Sequence, residues 1–185
     1  MAEANRERVL RAATSSFLSN GYACSVDDIA RRAGVAKQTV YQHFASKDEL
    51  FKEVARDLAK QVLIGLEDGG DLRESLLRFG LAYRKRALGA QGLATFRTLV
   101  PEVPRFRALA RTMYANTAGE MVRRLAAFLK EKLDPPDPEF AAEMLLSMLT
   151  GHDRLKRLFA VLPGAESEAA RSARIVDCFL KAYQT

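Results

Sequence analysis

Lys37, Gln38, Thr39, Tyr41, Gln42 and His43 all fall in the short segment KQTVYQH, and together they carry chemistry suited to reading a nucleic acid. Gln pairs bidentately with adenine, Lys reaches guanine, and Thr bonds a base or touches a thymine methyl. Tyr41, His43 and Lys47 suit phosphate oxygens, and Lys47 falls in the first turn of the next expected helix, whose free N–H groups favour an anion. The same residues also fit a short solvated helix with an ordinary polar face. Catalytic chemistry is poorly supplied. The chain has 2 histidines; His43 is committed to this segment, and His152 and Asp153, being adjacent, face different sides of a helix. No glycine-rich phosphate loop, paired-carboxylate motif or metal-ligand spacing stands out, so no enzymatic activity, metal or cofactor is expected.

The flanking residues supply the frame that must hold KQTVYQH. Ser25 can cap a helix N-terminus with Asp28 as its capping-box acid, while Cys24 and Ile29 stand at the staple positions. Val26, Ile29, Ala30 and Ala33 recur at helical spacing and give one buried face. Gly34 follows where a left-handed residue must stop the helix. Val35 points inward, then Ala36 to Phe44 makes a second short helix with Val40 and Phe44 inside. Ser46 with Glu49 opens a longer helix. Two helices around a glycine turn match a helix-turn-helix, a DNA-binding module. The expected DNA-contacting set is Ser25, Lys37, Gln38, Thr39, Tyr41, Gln42, His43 and Lys47.

Residues 5–51 resemble the N-terminal domain of the TetR family of bacterial transcriptional regulators. The shared features are a helix ending in Phe17 and Gly21-Tyr22, then Ser25-Val26-Asp27-Asp28-Ile29-Ala30 and Ala33-Gly34-Val35. They continue with Thr39-Val40-Tyr41, His43-Phe44 and Ser46-Lys47-Asp48-Glu49-Leu50-Phe51. The resemblance implies a DNA-binding homodimer with an all-helical, ligand-sensing C-terminal domain. It also implies phosphate contacts at Tyr41 and Lys47 and a major-groove helix beginning at Lys37. Two positions depart from the pattern. Ala36 stands where many relatives have a capping Ser, a loss of about 1 kcal/mol. Gln38 stands where glycine is frequent and adds a possible base-reading side chain.

At 185 residues the chain is at the boundary between one domain and two, and 48% hydrophobic residues can build a sizeable core. The net charge of +6 favours a polyanionic partner. The excess is +2 over residues 1–60 and +4 over residues 61–185, so charge alone does not locate a site. The N-terminus MAEANRERVLRAA is charged and amphipathic, unlike a secretory signal. No run of about 20 apolar residues is present to span a bilayer. Cys24 and Cys178 read as reduced thiols of a cytoplasmic protein, Cys24 as a buried filler rather than a redox switch.

The whole chain reads as all-α, about nine helices, with a DNA-binding domain over 1–49 and a ligand-binding and dimerisation domain over 50–185. The first helix runs from about Glu3 to Asn20 with Val9, Leu10, Ala13 and Phe17 inside; the fourth runs from Lys47 to about Glu67. Asp71 with Glu74 caps a fifth, and a sixth holds Leu93, Phe96 and Leu99. A long seventh carries Phe106, Ala110, Met113, Thr117, Met121, Leu125 and Phe128 at helical spacing. The eighth, about Glu139 to Val161, and the ninth, about Glu166 to Ala182, are apolar over more than the stripe a one-sided surface helix needs. That hairpin is expected to face its own core and a second subunit, giving a homodimer through the last two helices. A two-fold pair of recognition helices would meet a pseudo-palindromic operator, with half-site centres about one helical turn apart or slightly more.

A bundle lined by Phe79, Tyr83, Phe96, Leu99, Phe106, Met113 and Met148 could open a mostly apolar pocket for an unidentified small-molecule effector. Asn116, Thr117, Glu120 and His152 are nearby polar candidates to orient it. Arg84, Arg86 and Arg97 read as solvated surface that leaves room for an anionic ligand. Residues 95–111, TFRTLVPEVPRFRALAR, resemble the C-terminal domain of AefR-like members of the TetR family. The expected function is a repressor released from DNA by its ligand; an architectural factor, or an activator without inducer, is the alternative.

Overall fold

The computed structural model describes residues 2–67, 70–105, 107–161 and 164–183. Among these the chain is helical throughout, with no strand. Helix α1 spans Ala2–Asn20, α2 Val26–Ala33, α3 Lys37–His43, α4 Lys47–Glu67 and α5 Leu72–Leu88. Then follow α6 Ala90–Leu99, α7 Arg107–Asn116, α8 Ala118–Lys132, α9 Pro138–Leu158 and α10 Glu168–Tyr183.

The helix starts are where local chemistry puts them. Ser25 Oγ accepts from Asp28 N at 3.0 Å, Ser46 Oγ from Glu49 N at 3.1 Å, and Asp71 Oδ1 from Glu74 N at 2.8 Å. Each satisfies a backbone donor that the first helical turn leaves without a partner. Asp137 does the same for α9, accepting from Phe140 N at 3.0 Å, with Pro138 as the first helical residue.

The expected long seventh helix is interrupted. Thr117, with φ −121° and ψ −90°, is non-helical and separates α7 from α8. The apolar stripe running through this point serves two different cores. Met113 packs against the first, whereas Met121 and Leu125 are buried in the second.

The chain divides into two compact units, Met1–Leu58 with Ala94–Asn116, and Ala59–Leu93 with Thr117–Thr185. The boundary expected after residue 49 lies within α4, which supplies Leu50, Phe51 and Val54 to the first core and Ala59, Val62 and Leu63 to the second. In the first unit, Val9, Ala13 and Phe17 of α1 meet Ile29 and Ala30 of α2, Val40 of α3, and Phe44. Phe51 abuts Phe17 edge-on at 4.8 Å between ring centroids and Tyr22 edge-on at 5.3 Å. Full burial of a side chain such as Ile29 or Leu50 stabilises by about 1.5–3 kcal/mol, so these contacts fix α3 against α1 and α4.

In the second unit Leu76 and Phe79 of α5, Leu125 and Leu129 of α8, Leu145 and Leu149 of α9, and Val176 and Phe179 of α10 form one buried cluster. Gly65 lets α4 approach α5 closely, because a Cβ there would lie 2.8 Å from the Phe79 backbone nitrogen.

Candidate nucleic-acid interface

The turn between α2 and α3 is built from backbone chemistry. Gly34 adopts φ 64° and ψ 41°, a left-handed conformation that a Cβ disfavours. Its N–H donates to Arg31 O at 3.1 Å, and Val35 N donates to Ala30 O at 3.0 Å. Arg8 of α1 completes the closure: its Nη2 donates to Ala33 O at 2.6 Å and Gly34 O at 2.8 Å. Ala36 provides no side-chain cap for α3, but its carbonyl accepts from Thr39 N at 2.9 Å.

Val40 is the buried anchor of α3, with Phe44 buried just beyond its end. Lys37, Gln38, Tyr41 and Gln42 are exposed, and Thr39 and His43 are half-buried. Their placement on one short, anchored helix brings the expected contact residues together. The face they form carries little free charge. Lys37 Nζ donates to Asp27 Oδ2 at 2.8 Å, which raises the ammonium pKa, first through that hydrogen bond and then through the carboxylate charge. Arg31 pairs with Asp28. The Ser25 hydroxyl donates to Asp28 Oδ2 at 2.7 Å and is the main cause holding that carboxyl below its ordinary range. Gln38, Gln42 and Thr39 therefore dominate the outward chemistry, and Lys37 meets a base with its charge shared with Asp27.

Lys47 lies at the start of α4, as expected, but in a defined cradle. Its Nζ donates to Tyr22 O at 2.5 Å and stands 4.2 Å from the Tyr22 ring centroid. The Tyr22 hydroxyl bonds Asp48. Burial, then this carboxylate, pushes the phenol pKa well above its ordinary value. Arg6 ties the same corner, stacking over Phe44 at 5.5 Å and pairing with Glu53 at 3.0 Å. Arg6, Arg8 and the Tyr22–Lys47 contact went unnoticed in the sequence because polar partners 25 or more residues away leave no periodic signal.

The residues expected to line an effector pocket fall in both units. Phe79 and Tyr83 belong to the second unit and stack at 5.8 Å between centroids. Met148 and His152 are exposed on α9. Phe96 is exposed, Met113 packs on the first core, and Asn116 Nδ2 donates to Thr112 O at 2.8 Å; these belong to the first unit. Thr117 opens α8. Phe106 and the Leu99 side chain lie outside the described residues.

Arg84 is a correction to the reading of a solvated arginine. Its side chain is 3% exposed. Its Nη1 donates to Leu149 O at 2.5 Å and Asp153 Oδ2 at 2.9 Å, and its Nε donates to Glu168 Oε2 at 2.9 Å. Arg157 also reaches Glu168, and Arg171 lies 3.4 Å from Asp153. Burial works to raise the Asp153 carboxyl, but the Arg84 hydrogen bond and the arginine charges outweigh it and hold the pKa down.

Among the described residues no group of His, Cys, Asp and Glu is placed to hold a metal ion, and no helix is long and apolar enough to cross a membrane. Residues 9–54 match the family model for bacterial regulatory proteins of the tetR family. Residues 74–185 match that for the AefR-like transcriptional repressor C-terminal domain. The chain is 27% identical over 154 residues to the uncharacterized HTH-type transcriptional regulator YhgD of Bacillus subtilis, covering 77% of this chain and 79% of that one. A TetR-family transcriptional regulator structure from Mesorhizobium loti MAFF303099 superposes with TM-score 0.74 at 26% identity, covering 100% of this chain and 99% of its own. The flavonoid-responsive regulator FrrA superposes with TM-score 0.68 at 32% identity, covering 96% of each chain. With the outward α3 face, the capped helix-turn-helix and these matches along both halves of the chain, the protein belongs to the TetR family and is a DNA-binding transcriptional regulator.

Proposed function

We propose that this regulator acts as a homodimeric repressor, binding a pseudo-palindromic operator and leaving it when a small molecule occupies the helical bundle of its second unit. The observation that carries the DNA-reading part is the face of α3, where Gln38, Thr39 and Gln42 stand outward on a helix anchored by Val40. In this reading Gln38 and Gln42 read bases, while Tyr41, His43 and Lys47 hold phosphates and set register.

Dimerisation is supported by α9. Phe140, Met148, Leu155 and Phe159 are 58%, 37%, 50% and 74% exposed. Phe140, Met148 and Leu155 recur at eight- and seven-residue intervals, which place them along one side of the helix, and Phe159 follows just past its end. An apolar stripe of this kind rimmed by polar residues marks an interaction surface, and a second copy of α9 and α10 satisfies it symmetrically.

The effector part is supported by the similarity to FrrA, a flavonoid-responsive regulator. An effector shifts DNA affinity only through unequal binding to the competent and incompetent arrangements, and a tenfold shift needs about 1.4 kcal/mol of coupling. Helix α4, which contributes to both units, is the covalent route for that coupling.

Selection of duplexes from a random pool, followed by titration of the selected operator with flavonoids and other planar apolar molecules, tests the reading. It expects a two-fold-related site and effector-dependent release. Absence of duplex binding at low ionic strength overturns the DNA-reading part; a monomer bound to a single half-site overturns the dimer. Operator binding unaffected by any molecule shown to occupy the bundle overturns the effector part.

A further inference from the structure

Asp27 and Lys37 stand ten residues apart and on different helices, yet their side chains meet: Lys37 Nζ donates to Asp27 Oδ2 at 2.8 Å. Asp27 lies in the first turn of α2, and Lys37 is the first residue of α3. The contact therefore crosses the Gly34 turn and ends on the DNA-reading helix. Both side chains are open to water, 63% exposed for Asp27 and 51% for Lys37. An exposed pair of this kind contributes little to fold stability, so holding the turn together does not account for it. Nor does helix capping. The Ser25 hydroxyl accepts from Asp28 N and donates to the Asp28 carboxylate, which also takes Arg31. Asp28 thus serves the N-terminus of α2, and the Asp27 carboxylate is turned to Lys37.

A lysine on a groove-reading helix has two uses. Against the right base its ammonium donates to guanine N7 or O6. Against any sequence it can neutralise a phosphate, which adds affinity without discrimination. A carboxylate at 2.8 Å bears on the two unequally. It takes one of the three ammonium N–H groups and leaves two for a base edge, but it offsets the positive charge on which phosphate attraction depends. The guanine edge is neutral, so a base contact loses less than a phosphate contact does. The carboxylate also limits where the flexible lysine can reach, and it repels the phosphate backbone itself.

We propose that Asp27 is a positioning residue for sequence discrimination: it holds Lys37 for base contact and suppresses its use as an indiscriminate phosphate anchor. The α3 face then reads DNA through Gln38, Thr39, Gln42 and a charge-balanced Lys37. This role presupposes the DNA-reading part of the function proposed above and is independent of the dimer and effector parts.

Binding of the full-length protein to its selected operator and to a scrambled duplex, over a range of salt, tests it. The variants are Asp27→Asn, Asp27→Glu, Lys37→Met and the double substitution of Asp27→Asn with Lys37→Met. Asp27→Asn should bind the scrambled duplex about three- to fivefold more tightly, the ratio to which one exposed ion pair corresponds. Its salt slope on that duplex should steepen by about one ion, because Lys37 is released to a phosphate. Operator affinity should change by less than about twofold, since Lys37 keeps its base there, so discrimination falls. Asp27→Glu, which retains the carboxylate, should behave as the wild type does. In the Lys37→Met background Asp27→Asn should leave the slope where it was, a result that a purely structural role for Asp27 would not produce. Circular dichroism checks that the variants are folded. Wild-type slope and discrimination in Asp27→Asn overturn the role. So does an equal gain in the Lys37→Met background, because the carboxylate would then repel DNA directly rather than act through Lys37. Failure of every protein, the wild type included, to bind any duplex at low salt overturns the DNA reading as well; with wild-type operator binding intact, the other two results overturn the role of Asp27 alone.

Discussion

Arg8 and Gly34 are joined across the helix-turn-helix: the guanidinium of α1 donates to the Gly34 carbonyl at 2.8 Å, with the Ala33 carbonyl taken by the same nitrogen at 2.6 Å. The last carbonyls of any helix lack intrahelical donors. Here a side chain from another helix supplies them, so the turn that aims α3 is tied to α1 as well as shaped by its own glycine.

Gly34→Ala should therefore destabilise the first unit by about 1–2 kcal/mol, the cost of a left-handed conformation with a Cβ. That Cβ would also lie 2.7 Å from Arg8 Nη2, although a flexible arginine tip can move aside. Arg8→Ala should cost less, about 1 kcal/mol, since Arg8 is exposed to water. Urea unfolding of the three proteins measures both. Equal stability of Gly34→Ala and the wild type would show that the turn does not need its left-handed residue.

Gln42→Ala should flatten the base preference at the contacted positions, costing about 1–3 kcal/mol on the preferred duplex. Tyr41→Phe should weaken all duplexes alike and leave the salt slope unchanged, because no charge is lost. Lys47→Ala should weaken all duplexes and also reduce the slope by about one ion. Its stability should fall too, since Lys47 holds the Tyr22 carbonyl. Binding to matched and scrambled duplexes over a range of salt separates the roles; loss of specificity from Tyr41→Phe would reverse the assignment.

The first unit was largely readable because its signals are local. Ser25 with Asp28, Ser46 with Glu49 and Gly34 each act within a few residues of themselves, and each does in the fold what its type suggests. The break at Thr117 was not readable. Met113, Thr117 and Met121 continue a helical stripe, and only the existence of two cores reveals that the stripe changes owner. Arg84 was hidden for a related reason. Its partners Asp153 and Glu168 lie 69 and 84 residues away, so nothing near it in the chain distinguishes it from the exposed Lys85 beside it.

A charge placed on the α9 stripe should separate the proposed dimer. Leu155→Asp and Phe159→Asp each put a carboxylate where apolar surface is expected to be covered, and neither side chain is needed by the core described above, being half or more exposed. Sedimentation velocity should find monomers with unaltered helical content. Operator affinity should fall steeply, because a monomer engages one half-site without its twin. Intact dimers in both variants would move the subunit interface elsewhere.

The thiol of Cys24 should be inert in the folded protein. Burial pushes its pKa up, outweighing the lowering by the Lys47 charge, and the thiolate is the reactive form. Iodoacetamide labelling followed by peptide mass analysis should modify Cys24 only after unfolding in guanidinium. Labelling of Cys24 in the native state, at the rate of an unstructured thiol, would open the redox role that its burial argues against.

Arg84→Met should be among the most damaging changes outside the DNA-reading surface, and its effect should depend on pH. It leaves Asp153 and Glu168 without their buried cation. Breaking a buried pair costs about 3–5 kcal/mol, and the half-exposed Glu168 argues for the lower end, about 3 kcal/mol at neutral pH. In the wild type the Asp153 carboxyl is held below its ordinary range, so its contribution is fully present above the unfolded value of about 3.9. It is lost as pH falls through the folded value. In the variant the burial that Arg84 had outweighed acts against the charged carboxylate, so protonation relieves it. The stability gap between the two proteins should therefore be widest near neutral pH and narrow below about pH 4. Urea midpoints at a series of pH values measure the gap. A gap that stays constant into acid would mean that Arg84 stabilises through packing and its bond to the Leu149 carbonyl, and that its pairing with Asp153 contributes nothing.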